Sequence, residues 1–130
     1  MSFPKHNPKQ IEYIYQRGKT DCGVACFAMI AGFLYEDARV LFPKTINRGL
    51  FPEQLLEKLD DVGFDAIEIK SLPKNGIALV TVNWKKDDLG GHFVVWDSKR
   101  KQFLDPIFGI IDRQEMLTYA DIEDIWKIVF

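Results

Sequence analysis

The sequence predicts an α+β fold, with an N-terminal helical half packed on a C-terminal antiparallel β-sheet. Three observations carry this expectation. From residue 22 to 63 the apolar residues either fill whole turns or recur at helical spacing. From residue 65 they fall in short, alternating, β-branched runs. Turn-forming residues separate those runs closely enough for hairpins. With 130 residues the chain can bury one real core but not two comfortable ones, so a single domain over 1–130 is expected. Residues 1–10, polar and broken by Pro4 and Pro8, are expected to form a flexible arm.

Ile11 to Tyr15 is β-branched and aromatic but short, and is expected to be a brief extended segment. Cys22 to Leu34 is apolar nearly all round, which predicts a central, buried helix. Tyr35 to Phe42 sets Glu36, Asp37 and Arg39 against Ala38, Leu41 and Phe42 and ends at Pro43, as a short helix stopped by proline would. A loop over 44–50 follows. Pro52 suits a first helical position, Leu55, Leu56, Leu59 and Val62 form one apolar stripe, and Gly63 suits the cap beyond it.

The period then changes. Asp65 to Lys70 alternates, Pro73 to Gly76 is a turn, and Ile77 to Trp84 reads as a central strand. His92 to Trp96 and Gln102 to Asp105 flank a polar tip at 97–101, which predicts a hairpin. Asp112 with Glu115 three residues on predicts a capped short helix to about Tyr119, and Ile125 to Phe130 a closing strand. The three tryptophans, Trp84, Trp96 and Trp126, fall on strands and are expected in the core rather than as a stacking platform.

Composition removes several function classes. A chain 47% hydrophobic and 28% charged is neither disordered nor fibrous. A net charge of -2 gives no basic face for nucleic acid, and the cluster Lys99-Arg100-Lys101, like Lys85-Lys86, reads as solvated loop. No apolar run approaches the ~20 residues of a membrane span, and the first residues lack the apolar run of a signal peptide. Two cysteines four positions apart do not make a disulfide framework, so a reducing compartment is expected. The protein is therefore expected in the cytoplasm, or secreted by a route that needs no signal peptide.

The chemistry centres on Cys22, between a polar turn and an apolar helix. A helix start offers unpaired N–H groups and partial positive charge, both of which favour a thiolate. Spacing alone also admits a helix-cap turn with an incidental thiol. Gly23 lacks a side chain, so a substrate backbone could approach closely. His92 follows Gly90 and Gly91, which would keep a cleft floor open. A single histidine there could equally be structural, but Asp105 lies across the hairpin. A two-residue turn at Ser98 and Lys99 would set His92 and Asp105 directly opposite; a longer turn would leave a diagonal contact. An acid so placed fixes the tautomer of a base. Gln16, six residues before Cys22, could donate to a developing oxyanion with the Cys22 N–H, although a loop glutamine alone is usually solvent-exposed.

Metal is the competing chemistry. Cys22, Cys26, His92 and His6 are four possible ligands, but Cys-x3-Cys within a buried helix is poor chelate geometry and His6 lies in the arm. No metal and no cofactor are expected, and Cys26 reads as a small core residue one turn below Cys22.

Gln16-x4-Asp21-Cys22-Gly23-x-Ala25-Cys26-x-x-Met29, then Gly91-His92-Phe93-Val94-Val95, then Asp105-Pro106, resembles the bacteriocin-processing, double-glycine leader peptidase family over roughly residues 10 to 130. These are papain-like cysteine peptidases, usually the N-terminal domain of peptide-exporting ABC transporters. The resemblance implies a papain-like fold with Cys22 as nucleophile, His92 as general base, Asp105 as orienting acid and Gln16 as oxyanion donor. It also implies a peptide or protein substrate, cut after a Gly-Gly pair. The 130 residues hold neither membrane domain nor ATPase, so a stand-alone domain is expected. Papain-like domains also serve as deamidases or acyltransferases, because water or an amine can resolve one thioester, and some relatives only bind peptide.

Overall fold

The computed structural model describes residues 11–18, 21–42, 50–85 and 91–129. Helices α1 (Cys22–Ala31), α2 (Tyr35–Val40) and α3 (Pro52–Asp61) come first. Strands β1 (Asp65–Ile69), β2 (Ile77–Trp84), β3 (Gly91–Asp97), β4 (Gln102–Asp105) and β5 (Gly109–Asp112) follow, then α4 (Arg113–Tyr119) and β6 (Ala120–Val129). The α+β expectation holds in order and in kind.

From Gly23 to Ala31 every residue of α1 is buried, as an all-round apolar sequence requires. The helix ends three residues earlier than expected. Gly32 takes φ 76°, and the N–H groups of Gly32 and Phe33 both donate to the Ala28 carbonyl, so a left-handed glycine stops the helix that the apolar pattern would have continued. Helix α2 stops at Val40 rather than Phe42, its last turn tightening as Leu41 N–H bonds the Ala38 carbonyl; the proline stop at Pro43 lies outside the described residues. In α3 Pro52 opens the helix, the Gln54 side chain accepts from the Phe51 N–H at 2.8 Å, and Leu55 and Leu59 are wholly buried. Gly63 follows at φ 96°.

The sheet runs β1-β6-β2-β3-β4-β5, with every neighbouring pair antiparallel. Strand β2 is central, as its unbroken apolar run predicted. Strand β5 was not expected, because Gly109-Ile110-Ile111-Asp112 is short and begins with a glycine at φ 99°. Strand β6 is longer than the Ile125–Phe130 expected: it begins at Ala120, directly on the end of α4, and absorbs a register shift opposite Thr81 and Val82. Residue 130 lies outside the described residues, and Ile11 to Tyr15 joins no strand.

Each sheet face has its own core. Leu79, Phe93, Val95, Leu104 and Ile128 pack with α1 and α3, while Val80, Val94, Trp96, Phe103 and Ile125 pack with Met116 of α4. Strand β3 supports α1 on the first face and carries His92 in the parity of Val94 and Trp96 on the second. The N-terminus of α1 and the start of β3 are the elements that bring the candidate residues together.

Candidate active site

Cys22 is the first residue of α1 and is half-buried, whereas Cys26, one turn on, is fully buried. Burial pushes the Cys26 thiol well above its ordinary pKa, with the charges at Cys22 and Asp105 adding to the effect, so it stays a neutral core group. Helix register therefore separates the two sulfurs as expected.

His92 is buried, and its Nε2 lies 2.8 Å from Asp105 Oδ1. The observed β3–β4 register sets Val95 opposite Leu104 and Asp97 opposite Gln102, so the loop is four residues long and His92 does not face Asp105 directly. The two meet on the diagonal, one same-face pair apart, which is the arrangement expected of the longer turn and not that of the two-residue one. A carboxylate only accepts, so Nε2 carries the proton and Nδ1 is the nitrogen left for another partner. The Cys22 thiol interacts with the same ring. Burial is the largest influence on His92 and works against its charged form. The hydrogen bonds to Asp105 and Cys22, with the charges on both, outweigh it and raise the ring to about 9.

Asp105 has no exposed surface, and its carboxylate is fully served. Oδ1 accepts from His92 and from the N–H groups of Ile107 at 2.9 Å and Phe108 at 3.3 Å, while Oδ2 accepts from the Tyr119 hydroxyl at 3.3 Å. The Tyr13 hydroxyl donates to the Asp105 carbonyl. Burial raises the pKa of both tyrosines, and the charge of Asp105 adds to it, which keeps both as donors. The Trp84 ring lies 4.8 Å from the His92 ring, centroid to centroid, tilted at 43°, so this tryptophan packs against the site as well as against the second core. Sequence reasoning missed Tyr13, Trp84 and Tyr119. Only the strand pairing reveals Trp84: Val82 faces His92, which puts Trp84 on the same face one step along.

Gln16 reaches this region through its backbone, its N–H donating to the Pro106 carbonyl at 3.0 Å. Its side chain is turned onto the loop: Nε2 donates to the Gly18 carbonyl at 2.7 Å, leaving one amide hydrogen uncommitted. Asp21 precedes Cys22, is buried, and accepts from the N–H groups of Arg17 at 3.0 Å and Gly18 at 2.7 Å and from the Tyr35 hydroxyl. At Gly23 an added Cβ would come within 2.8 Å of Leu50 Cδ1 and 3.4 Å of Phe93, so packing supplies a reason for this glycine that the sequence did not. A Cβ at Gly91 would meet nothing within 4 Å, and Gly90 lies outside the described residues. Among the described residues no three His, Cys, Asp or Glu side chains are grouped to hold a metal ion, and His6 is outside them.

The half-buried Cys22 thiol and the buried His92–Asp105 pair thus come together at the junction of α1 and the sheet. No curated protein matches the chain. Among solved structures, a double glycine motif protease from an AMS/PCAT transporter, determined in complex with the leader peptide, superposes with a TM-score of 0.67 at 22% identity, over 92% of this chain and 91% of that one. The shared architecture is papain-like, with helices first and an antiparallel sheet second. The profile of the Peptidase C39 family matches residues 10–128. The chain belongs to the Peptidase C39 family.

Proposed function

We propose that this protein is a cysteine peptidase that cleaves a peptide bond with Cys22 as nucleophile, His92 as acid and base, and Asp105 as the orienting carboxylate. The observation that carries this reading is the buried 2.8 Å contact between His92 Nε2 and Asp105, which commits one ring nitrogen and leaves Nδ1 for the sulfur. The Cys22 thiolate adds to the amide carbonyl carbon, a C–S bond forms, and the carbonyl π pair moves onto oxygen. The helix-start N–H groups and the uncommitted Gln16 amide hydrogen stabilise that oxyanion. Collapse breaks the C–N bond, the leaving amine takes the proton of His92 Nδ1, and a thioester remains. Water attacks the thioester as Nδ1 accepts its proton, and the thiolate departs with an intact imidazolium beside it.

The substrate we propose is a peptide cut after a Gly-Gly pair. It is supported by family membership and by the leader peptide in the similar double glycine motif protease. The open space over Gly91 suits small residues passing the cleft. Incubation with a peptide containing an internal Gly-Gly pair, followed by mass analysis, tests both halves. Two fragments whose masses sum to the substrate plus one water are expected. A gain of one mass unit with ammonia release and no chain cleavage would identify a deamidase, and binding without any mass change would identify a non-catalytic peptide-binding domain.

A further inference from the structure

Asp21 occupies the N-cap position of α1, where an aspartate ordinarily turns its carboxylate onto the N–H of the second or third helical residue. Here it does not. Its backbone, at φ -104° and ψ 25°, departs from the extended conformation of a capping residue, and its side chain makes no cap bond. Both oxygens are spent away from α1 instead, Oδ1 on the Gly18 N–H and Oδ2 on the Arg17 N–H and the Tyr35 hydroxyl. The first intrahelical bond runs from the Ala25 N–H to the Asp21 carbonyl, so the N–H groups of Cys22, Gly23 and Val24 have no intrahelical acceptor.

The diversion is built from several directions. A Cβ on Gly18 would lie 3.1 Å from Asp21 Oδ1, so the loop backbone closes on the carboxylate as only glycine allows without displacement. The Arg17 guanidinium sits 4.5 Å over the Tyr35 ring and pairs with Glu36, which locks the same loop to the start of α2. Tyr35 is thus held from its ring face as well as through its hydroxyl.

We propose that Asp21 and Tyr35 are positioning residues for the reaction: Tyr35 holds the Asp21 carboxylate away from α1, which keeps the first-turn N–H groups unoccupied for the oxyanion. The proposal rests on the assignment of Cys22 as nucleophile. Without the Tyr35 hydroxyl, Oδ2 keeps only the Arg17 N–H, and the less firmly held carboxylate turns onto the N–H groups of Gly23 and Val24, which have no acceptor among the described residues, as an ordinary cap. The helix gains a bond and the oxyanion loses its site.

Tyr35→Phe tests this with three probes: a peptide ending in Gly-Gly-aminomethylcoumarin, the corresponding Gly-Gly aldehyde, and iodoacetamide. The aldehyde forms a hemithioacetal whose oxygen needs the N–H donors, whereas alkylation by iodoacetamide at a saturated carbon develops no oxyanion. Expected in Tyr35→Phe are a fall in kcat of about 10-fold or more with KM changed less than about twofold, and an aldehyde affinity weakened in proportion. The iodoacetamide rate should stay within about twofold and the thermal midpoint should not fall. Unchanged kcat and aldehyde affinity would overturn the proposal, as would a parallel loss in all three probes, the sign of a displaced thiol. If Tyr35→Phe does not fold, Asp21→Ser, whose hydroxyl caps α1 directly, takes its place with the same three probes, and the same results support or overturn the proposal. A wild-type protein in which none of the three probes reacts at Cys22 overturns the nucleophile assignment instead, so the two failures are distinguishable.

Discussion

His92 sits between opposing influences. Burial disfavours its charge, while Asp105 and Cys22 favour it more strongly together and hold the ring at about 9. In the proposed mechanism the protonated ring delivers the proton to the leaving amine, so kcat/KM should fall as pH rises through about 9, and stopped assays across pH 7–10 will locate that limb. Asp105→Asn retains an acceptor for Nε2 but removes the charge, so the limb should move down toward the ordinary histidine value of about 6.5. A limb that stays put in that variant would mean Asp105 does not tune the base. The His92–Asp105 pair was legible in the sequence because a hairpin brings residues 13 apart within reach. The Tyr13 contact to Asp105 spans 92 residues, and no local period encodes a bond of that span.

At the scale of elements, glycine and capping residues set where the helices stop and start. Gly32→Ala forces a side chain into φ 76° and should destabilise the fold by about 1 kcal/mol in urea unfolding. Asp112 accepts the Glu115 N–H at 2.7 Å, so Asp112→Ala should cost about 1 kcal/mol by loss of the cap on α4. Leu59→Ala, at a site with no exposure, should cost about 2–5 kcal/mol, more than Leu56→Ala at the partly covered edge of the same stripe. These elements were readable because their signals are local. The apolar run through Phe33 and Leu34 hid the stop at Gly32, since hydrophobicity continues past the residue whose backbone turns. Strand β5 escaped notice because its identity comes from pairing with β4, with Phe103 facing Ile111, and not from its own four residues.

Across the whole molecule, α1 lies against one face of the sheet while His92 shares parity with the other, so the sulfur and ring meet at the beginning of β3 and not across the middle of the sheet. The loop before α1 belongs to this joint. Burial opposes ionisation of Asp21, but the Tyr35, Arg17 and Gly18 hydrogen bonds prevail and hold its carboxyl below the ordinary range. A carboxyl depressed on folding contributes stability above its unfolded pKa of about 3.9, lost as pH falls through the folded value. The difference in urea midpoint between wild type and Asp21→Asn should therefore be largest at neutral pH and shrink below about pH 4.

The most direct measurement is the position of the acyl group. Wild-type protein mixed with the Gly-Gly coumarin peptide, quenched in acid during turnover and digested for mass analysis, should carry the acyl mass as a thioester on Cys22. The label should be absent from Cys22→Ala and persist in Cys26→Ala. An acyl group on Cys26, or turnover that survives Cys22→Ala, would contradict the assignment of Cys22 as the nucleophile.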